Sequence, residues 1–299
     1  MPSRPVIAHL IEPEKHDLGS FSVRRSLPHP SRTMVGPFIF FDHLGPAIFP
    51  PGKGVDVRPH PHINLATVTY LFEGSLLHRD SLGVVQEILP GEVNWMTAGK
   101  GVVHSERSPQ AFRESDARLH AIQTWIALPE SAEEIAPNFS HHAATDLPIW
   151  EEQGGQATTT ATLIAGSFGP FTSPVATFSP TLYLSLEFTA GSHFSLPASP
   201  LERAIYSVTP DLRVNGEPLE QYRLALLQPD ADIDISASNN ARCMVVGGEP
   251  LGTRHKYWNF VSSRPERIEQ AKRDWKEQRF PKVPGETEFI PLPDRVGAG

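Results

Sequence analysis

Short apolar runs, separated by turns that contain glycine or proline, recur through most of the chain. They lie at 39–41, 65–72, 83–89, 93–96, 101–105 and 119–128 in the first half, and at 182–188, 203–208, 222–227, 233–236 and 241–247 in the second half. Short runs at intervals of about ten residues are typical of strands in a β-sandwich or barrel. The pattern therefore predicts an all-β protein.

The two blocks of apolar runs are similar to each other. The segment ATVTYLFEGSLLHRD from Ala66 aligns with RAIYSVTPDLRVNGEP from Arg203, and VVQEILPGEVNWMTA from Val84 aligns with RLALLQPDADIDISA from Arg223. A degenerate repeat of this kind indicates two copies of one β-fold. The polar stretch at 130–155 between them is interpreted as a connector with a helical turn. We expect one domain at 1–140 and a second at 141–299.

The C-terminal segment has a different periodicity. Ile268, Ala271 and Trp275 recur at helical spacing. They follow Ser263-Arg264-Pro265-Glu266, which has the form of a capping box with Ser263 as N-cap. Phe280-Pro281 ends the run. The sequence therefore predicts an amphipathic helix at about 263–280, with Trp275 as its packing anchor.

Composition and charge narrow the possible functions. Thirty prolines and 22 glycines in 299 residues suit many short strands and tight turns. The net charge is −8, and no block of Lys and Arg offers a surface for phosphates, which disfavours direct nucleic-acid binding. The single cysteine, Cys243, excludes an intramolecular disulfide and is interpreted as a small buried apolar residue. No segment resembles an export signal or a membrane span, so we expect a cytoplasmic protein. We expect a monomer, because two β-domains can bury each other.

Four side chains point to metal chemistry: His60, His62, His104 and Glu106. Residues two apart in a strand face the same side, so each pair can direct both ligands into one cavity. Two such pairs on neighbouring strands offer three imidazoles and a carboxylate, a donor set suited to several first-row metals. The alternative is that His60 and His62 are polar residues on a strand. His104 and Glu106 favour the metal site.

The spacing resembles that of known metal-binding β-barrels. Gly54-x5-His60-x-His62-x4-Thr67-x6-Gly74 resembles the first cupin motif, with Ala66-Thr67 where a glutamate is usual. Gly101-x2-His104 resembles the second motif, and Glu106 follows two residues later. This arrangement is similar to the pirin family, as are the segments FDHLGP, HPHINLATVTYLFEG, NWMTAGKGVVHSE, QTWIALP, GGEP and WNFVSS. The resemblance extends over nearly the whole chain.

The resemblance implies two cupin β-barrels of the double-stranded β-helix, or jelly-roll, type with a C-terminal α-helix. It implies that the N-terminal barrel holds iron(II) through His60, His62, His104 and Glu106, with Mn, Ni, Cu, Co or Zn as alternatives. The C-terminal barrel is expected to lack metal; the alignment places Pro197 and Ser199 opposite His60 and His62. Asn64 stands where many relatives have glycine, which puts the substrate preference in doubt.

The resemblance also implies two classes of function. The first is a quercetin 2,3-dioxygenase, which cleaves a flavonol with O2 and would use Glu106 as catalytic base. The second is a metal- or redox-dependent regulator that binds a transcription factor or a metabolic enzyme. A third hypothesis is an enzyme with an open iron site whose natural substrate is not a flavonoid. Candidate wall residues of the cavity are Phe41, Trp95, Met96 and Gln123.

Four other histidines receive structural interpretations. His78 is expected to pair with Asp80 rather than to bind metal. His43, in a predicted turn at 42–45, is expected to be a satisfied structural residue. His141 and His142, in the connector, are expected to be solvated.

Overall fold

Almost all the regular structure of the described residues, which are 5–17, 21–114 and 116–294 of this computed structural model, is β-strand. The first strands are β1 (Ile7–Ile11), β2 (Glu14–Asp17), β3 (Ser22–Leu27), β4 (Phe38–Phe49), β5 (Asp56–His62), β6 (Leu65–Glu73), β7 (Leu76–Asp80), β8 (Val85–Ile88), β9 (Val93–Thr97), β10 (Val102–Arg107), β11 (Ala117–Ala127) and β12 (Asn138–His142).

The remaining elements are β13 (Ile149–Gly154), β14 (Ala157–Phe168), β15 (Phe171–Thr172), β16 (Thr181–Phe188), β17 (His193–Leu196), β18 (Glu202–Ser207), β19 (Leu212–Val214), β20 (Glu217–Leu219), β21 (Leu224–Leu227), β22 (Ile233–Ala237), β23 (Ala241–Gly248), β24 (His255–Tyr257), β25 (Phe260–Ser262) and α1 (Pro265–Lys276). Short 3-10 turns lie at Ala111–Arg113, Glu130–Ala132 and Ala144–Asp146. Along the described residues, we find no helix with the length and apolar character needed to span a membrane.

The predicted all-β class is confirmed, and a strand overlaps each predicted apolar run. The stretch at 130–155 differs from the prediction. It contains the expected helical turn, but it also contains β12 and β13, each of which is the edge strand of a different sheet. These two strands were not predicted because their sequences are polar. Both are edge strands of a sheet, where many side chains remain exposed to solvent.

The chain forms two compact units, and neither is a continuous stretch of sequence. The first, here called the histidine unit, comprises Lys15–Arg25, Ile39–Ala144 and the segment from Leu251 onwards. The second unit comprises the segment up to Glu14, Ser26–Phe38 and Thr145–Pro250. The division of the sequence into domains at 1–140 and 141–299 stays a prediction.

The histidine unit is built on two sheets, as the cupin resemblance implies. Seven strands pair in the order β12-β9-β6-β11-β4-β3-β2, and four pair in the order β5-β10-β7-β8. Apolar side chains of both sheets form its core, including Leu71, Leu76 and Leu119. The four-stranded sheet carries every predicted metal ligand, on β5 and β10.

The second unit repeats this design. Its larger sheet has the order β1-β21-β18-β23-β16-β14-β13, with β15 on β14, and its smaller sheet has the order β17-β22-β19-β20. By strand order, β17 and β22 correspond to β5 and β10. Their buried side chains are apolar: Phe194, Leu196, Ile233, Ile235 and Ala237. Apolar side chains therefore fill the interior where the histidine unit carries its imidazoles.

The strand orders also correct half of the sequence alignment. The first aligned pair is right, because β6 and β18 hold the same position in their sheets. The second pair is wrong by one strand: it placed β8 on β21, whereas β9 and β21 are the equivalent strands beside β6 and β18.

The predicted C-terminal helix is present as α1, and it is shorter than expected. Ile268, Ala271 and Trp275 are buried and pack against Ile63 and Val103, the neighbours of His62 and His104 in sequence. The predicted capping box is wrong. The cap position is Arg264, without a side-chain cap, because the Ser263 hydroxyl donates to the buried Glu133 carboxylate at 2.9 Å. The helix supports the strands that carry the histidines.

Candidate metal centre

Strand pairing brings the two predicted ligand pairs together. β10 runs antiparallel to β5, with His104 opposite His60 and Val102 opposite His62. A β-bulge between His104 and Glu106 interrupts this pairing. The expectation that the two pairs lie on neighbouring strands is confirmed.

The three imidazoles form one cluster. A ring nitrogen of each of His60, His62 and His104 lies within 4.8 Å of those of the other two, and all three residues are buried. The Nε2 atoms of His62 and His104 are 3.1 Å apart. Two nitrogens bound to one metal ion at about 2.1 Å lie about 3.0 to 3.4 Å from each other in octahedral or tetrahedral geometry. The spacing therefore fits a shared metal ion.

Burial keeps these imidazoles neutral. It lowers the pKa of His62 and His104 well below the usual 6.5, and the neighbouring His60 lowers both further. Burial also lowers the pKa of His60, although the Arg58 carbonyl and the Glu106 carboxylate oppose this effect. Metals bind the neutral imidazole, so the cluster is already in its ligating form near pH 7.

Hydrogen bonds on the outer side of the rings fix their orientation. The Nδ1 of His60 donates to the Arg58 carbonyl oxygen at 2.9 Å, which leaves Nε2 as the free acceptor. His78 Nε2 donates to Asp80 at 2.9 Å, and His78 Nδ1 lies 3.3 Å from His104 Nδ1. In the consistent proton arrangement, His104 donates through Nδ1 and keeps its Nε2 lone pair for a metal. The predicted pairing of His78 with Asp80 is confirmed.

Glu106 occupies a separate position beside the cluster. Its two carboxylate oxygens accept hydrogen bonds from Gln123 Nε2 at 2.8 and 2.9 Å, and Thr69 Oγ1 lies 3.4 Å away. Its oxygens are not among the ligand atoms that gather within 4.8 Å. The structure therefore brings the three predicted histidine ligands together. The fourth predicted ligand, Glu106, is hydrogen-bonded to the side-chain amide of Gln123.

A cavity of about 440 Å³ opens in front of His60 and Glu106. Gln123 lines it, as predicted, but Phe41, Trp95 and Met96 do not belong to its wall. Phe40 and Trp125 line the cavity instead, and their stacked rings have centroids 4.0 Å apart. The ring of His62 stands edge-on to Trp125, with the two centroids 5.0 Å apart. Alternation explains the correction: Phe40 and Phe41 face opposite sides of β4, and Trp125 lies two residues beyond Gln123 on the same face.

The residues present fit a bound metal ion. The three neutral imidazoles have suitable spacing, outer hydrogen bonds orient His60 and His104, and a carboxylate and an open cavity lie beside the cluster. An imidazole set with an adjacent carboxylate accommodates several first-row metals, and its open side leaves room for a further ligand.

Comparison with known proteins decides the family. Two family models match the chain, one described as Pirin over residues 20–126 and one described as Pirin C-terminal cupin domain over residues 183–281. A Pirin-like protein of Caulobacter vibrioides is 46% identical over 290 residues, which cover 95% of this chain and 99% of that relative. The chain belongs to the pirin family.

Two further matches of this pirin have names that state an activity. A Pseudomonas aeruginosa protein, provisionally named quercetin 2,3-dioxygenase, is 41% identical over 262 residues, 87% of this chain and 80% of the relative. The crystal structure of quercetin 2,3-dioxygenase from Acinetobacter baumannii matches with a TM-score of 0.86 and 33% identity, and the match covers 96% of each chain. The two-barrel fold is therefore shared over nearly the whole length.

Asn64 of this pirin lies outside the cavity wall. Its φ of 60° is a left-handed conformation, which glycine adopts at little cost, and its amide donates to the Glu133 carbonyl oxygen at 2.6 Å. Asn64 therefore secures the loop at 133–134 and does not shape the opening in front of His60.

The other histidines interpreted from the sequence are buried or half-buried. His43 is buried inside β4, where a turn was predicted, and its Nε2 lies 2.7 Å from that of His120. His141 and His142 are half-buried on β12 rather than solvated, and His141 Nδ1 lies 2.8 Å from Asn94 Oδ1. Cys243 is buried, as predicted, which raises the pKa of its thiol.

Proposed function

We propose that this pirin is a metal-dependent dioxygenase of the quercetin 2,3-dioxygenase type, which opens the central ring of a flavonol with O2 and releases carbon monoxide. One juxtaposition carries the proposal: His60, a member of the cluster of three neutral imidazoles, and the Glu106 carboxylate line the same aromatic-walled cavity. Its volume of about 440 Å³ lies in the usual range for small-molecule sites, about 300 to 1,000 Å³.

His60, His62 and His104 would hold the metal, with Glu106 as fourth ligand and iron(II) as the first candidate ion. When bound, the metal would act as a Lewis acid toward a flavonol hydroxyl and as an electron partner for O2. Manganese, nickel, copper, cobalt and zinc are alternatives, because this donor set does not by itself select one ion.

The chain's own groups would handle the proton and the solvent. Glu106, at the inner end of the cavity, would accept the proton of the flavonol 3-hydroxyl. Gln123 would hold that carboxylate in place through the two hydrogen bonds from its amide. Phe40 and Trp125 would place apolar surface against the flavonol rings and keep water from the reacting carbon.

The test follows O2 consumption and the flavonol absorbance of the metal-loaded protein, with carbon monoxide measured in the head space. We expect turnover in the wild type and its loss in Glu106→Gln and His62→Ala. Glu87→Gln, on the exposed side of β8, is the matched control and keeps the activity. Circular dichroism verifies that each variant is folded.

A fully metal-loaded wild type without turnover on any flavonol would overturn the dioxygenase proposal. The alternative, a metal-dependent regulator that binds a protein partner, would then become the better account. It makes a separate prediction: a partner would bind the metal-loaded and metal-free forms with different affinities.

A further inference from the structure

An unpaired cation faces the cavity in front of the histidines. Lys256, on β24, lines the cavity together with Phe40 and Trp125. Its ammonium lies 5.7 Å from the centre of each ring. That distance is near the outer limit of a cation–π contact, about 6 Å, so the rings do not engage the charge fully. Lys256 makes no ion pair in the portions of the chain that the structure describes.

Two carboxylates of the wall are already paired with arginines. Asp42 accepts two hydrogen bonds from Arg25, at 2.8 and 2.7 Å. Asp56 forms ion pairs with Arg107 and Arg113.

Glu106 is held by Gln123 and lies next to the proposed metal position. Arg58, exposed at the cavity, makes no ion pair with another described side chain. Three carboxylates and three cationic side chains line the cavity, and among the described residues Lys256 and Arg58 are the cations of this wall that form no ion pair.

The partial burial of Lys256 strengthens the attraction between its ammonium and an anion in the cavity. Burial lowers the pKa of its ammonium to about 8, and nearby Arg25 contributes, while Asp42 opposes both effects. The group is therefore mostly protonated at pH 7. A charge that has lost part of its hydration gains more from an anion than an exposed lysine does, because the surroundings screen it less.

We propose that Lys256 is a specificity-determining residue that selects an aromatic substrate carrying a negatively charged oxygen group, a carboxylate or an ionised hydroxyl, remote from the atom that faces the histidines. The inference rests on the proposed function, since it assigns the substrate class of the same site. The ring of the substrate lies beside Phe40 and Trp125, and the negative oxygen meets the ammonium. Arg58 adds an attractive field at the opening.

The experiment compares ligands that differ in one charge. The first pair is a 3-hydroxyflavone with a 4′-carboxylate and its methyl ester. The second pair is 4-hydroxybenzoate and neutral 4-hydroxybenzamide. Binding to the metal-loaded protein is measured by anaerobic titration calorimetry, so that no turnover is required. Variants are Lys256→Met, which keeps the aliphatic stem, Lys256→Arg, which keeps the charge, and Lys272→Met, which removes a lysine outside the cavity.

We expect the wild type to bind the acid of each pair at least tenfold more tightly than its neutral partner. Lys256→Met reduces this ratio below about threefold, whereas Lys256→Arg and Lys272→Met keep it. Equal binding of acid and neutral partner, a preference that survives Lys256→Met, or no binding of either pair would overturn the inference. A Lys256-dependent preference without flavonol turnover would overturn only the dioxygenase proposal.

Discussion

The side-chain amide of Gln123 donates to both carboxylate oxygens of Glu106, at 2.8 and 2.9 Å. Gln123 lies on β11 and Glu106 on β10, so the contact joins the two sheets of the histidine unit beside the imidazole cluster. Glu106 is thus held by a neutral donor that can orient a carboxylate without neutralising its charge.

Gln123→Met removes both of these hydrogen bonds while keeping the length of the side chain. We expect flavonol turnover to fall about 10- to 100-fold, the usual effect of losing an outer partner of a metal-site ligand. Metal content stays near that of the wild type, because the three imidazoles are unchanged. Thr69→Val is the control, since its contact with Glu106 is longer, at 3.4 Å, and a similar loss there would contradict the role given to Gln123.

Asp80→Asn tests the chain of hydrogen bonds behind His104. The asparagine oxygen can still accept from the backbone NH groups of Leu82 and Val84, but its NH₂ would face His78 Nε2. An NH₂ group donates a hydrogen bond, so His78 Nε2 must accept it and the His78 proton moves to Nδ1. Two protonated Nδ1 atoms, of His78 and His104, then face each other, and the hydrogen bond from His104 to His78 is lost. Metal affinity, measured by competition with a chelator, should fall about 10- to 100-fold. An unchanged affinity would show that the chain does not orient His104.

Acid destabilises the metal-free protein through the buried imidazoles. Their folded pKa values lie below the usual 6.5, so the unfolded chain binds more protons as the pH falls below that value. Stability is therefore present above about pH 6.5 and is lost below it, by up to about 1.4 kcal/mol per pH unit for each histidine. Urea unfolding at pH 7.5, 6.5 and 5.5 measures this slope.

The matched variant for this pH series carries His60→Gln, His62→Gln and His104→Gln together. This variant should lose most of the dependence of the unfolding free energy on pH, because it lacks the three imidazoles and keeps all other titratable groups of the wild type. His43→Gln, which removes another buried histidine of depressed pKa, should lose only a minor part. Equal slopes in the wild type and the triple variant would contradict the assignment of neutral, buried imidazoles.

Glu133→Ala tests how the C-terminal segment is attached to the histidine unit. The carboxylate of Glu133 accepts from Ser263 N at 2.7 Å and lies 3.3 Å from Arg254 Nε, and both charged side chains are almost fully buried. Removing one member leaves an uncompensated buried cation, so the free energy of unfolding should fall by about 3 to 5 kcal/mol. Glu134→Ala, which is half-exposed, should cost less than about 1 kcal/mol.

The sequence was sufficient for the fold class and for the three histidines that the structure brings together. Alternating apolar runs and the spacing of His60, His62 and His104 depend on local geometry, which adjacent residues specify. The capping box failed because Ser263 bonds to Glu133, a residue far away in the chain. No local pattern reveals such a contact.

The cavity wall was harder to predict than the histidine cluster. Sequence alone did not distinguish which face of β4 points inward, so Phe41 was chosen where Phe40 lines the cavity. Lys256 lies about 150 residues after His104 and reaches the cavity only because the C-terminal segment belongs to the histidine unit. The residues around Lys256 in the sequence give no indication that its side chain lies in the cavity.

Metal binding by the imidazole cluster is the central claim, and an equilibrium titration tests it most directly. Metal-free protein is titrated anaerobically with iron(II) and separately with nickel(II), in the wild type and in His62→Ala and His104→Ala, with folding verified by circular dichroism. We predict one ion per chain in the wild type and at least a hundredfold weaker binding in each variant. A folded wild type that binds no ion, or variants that bind as tightly, would contradict it.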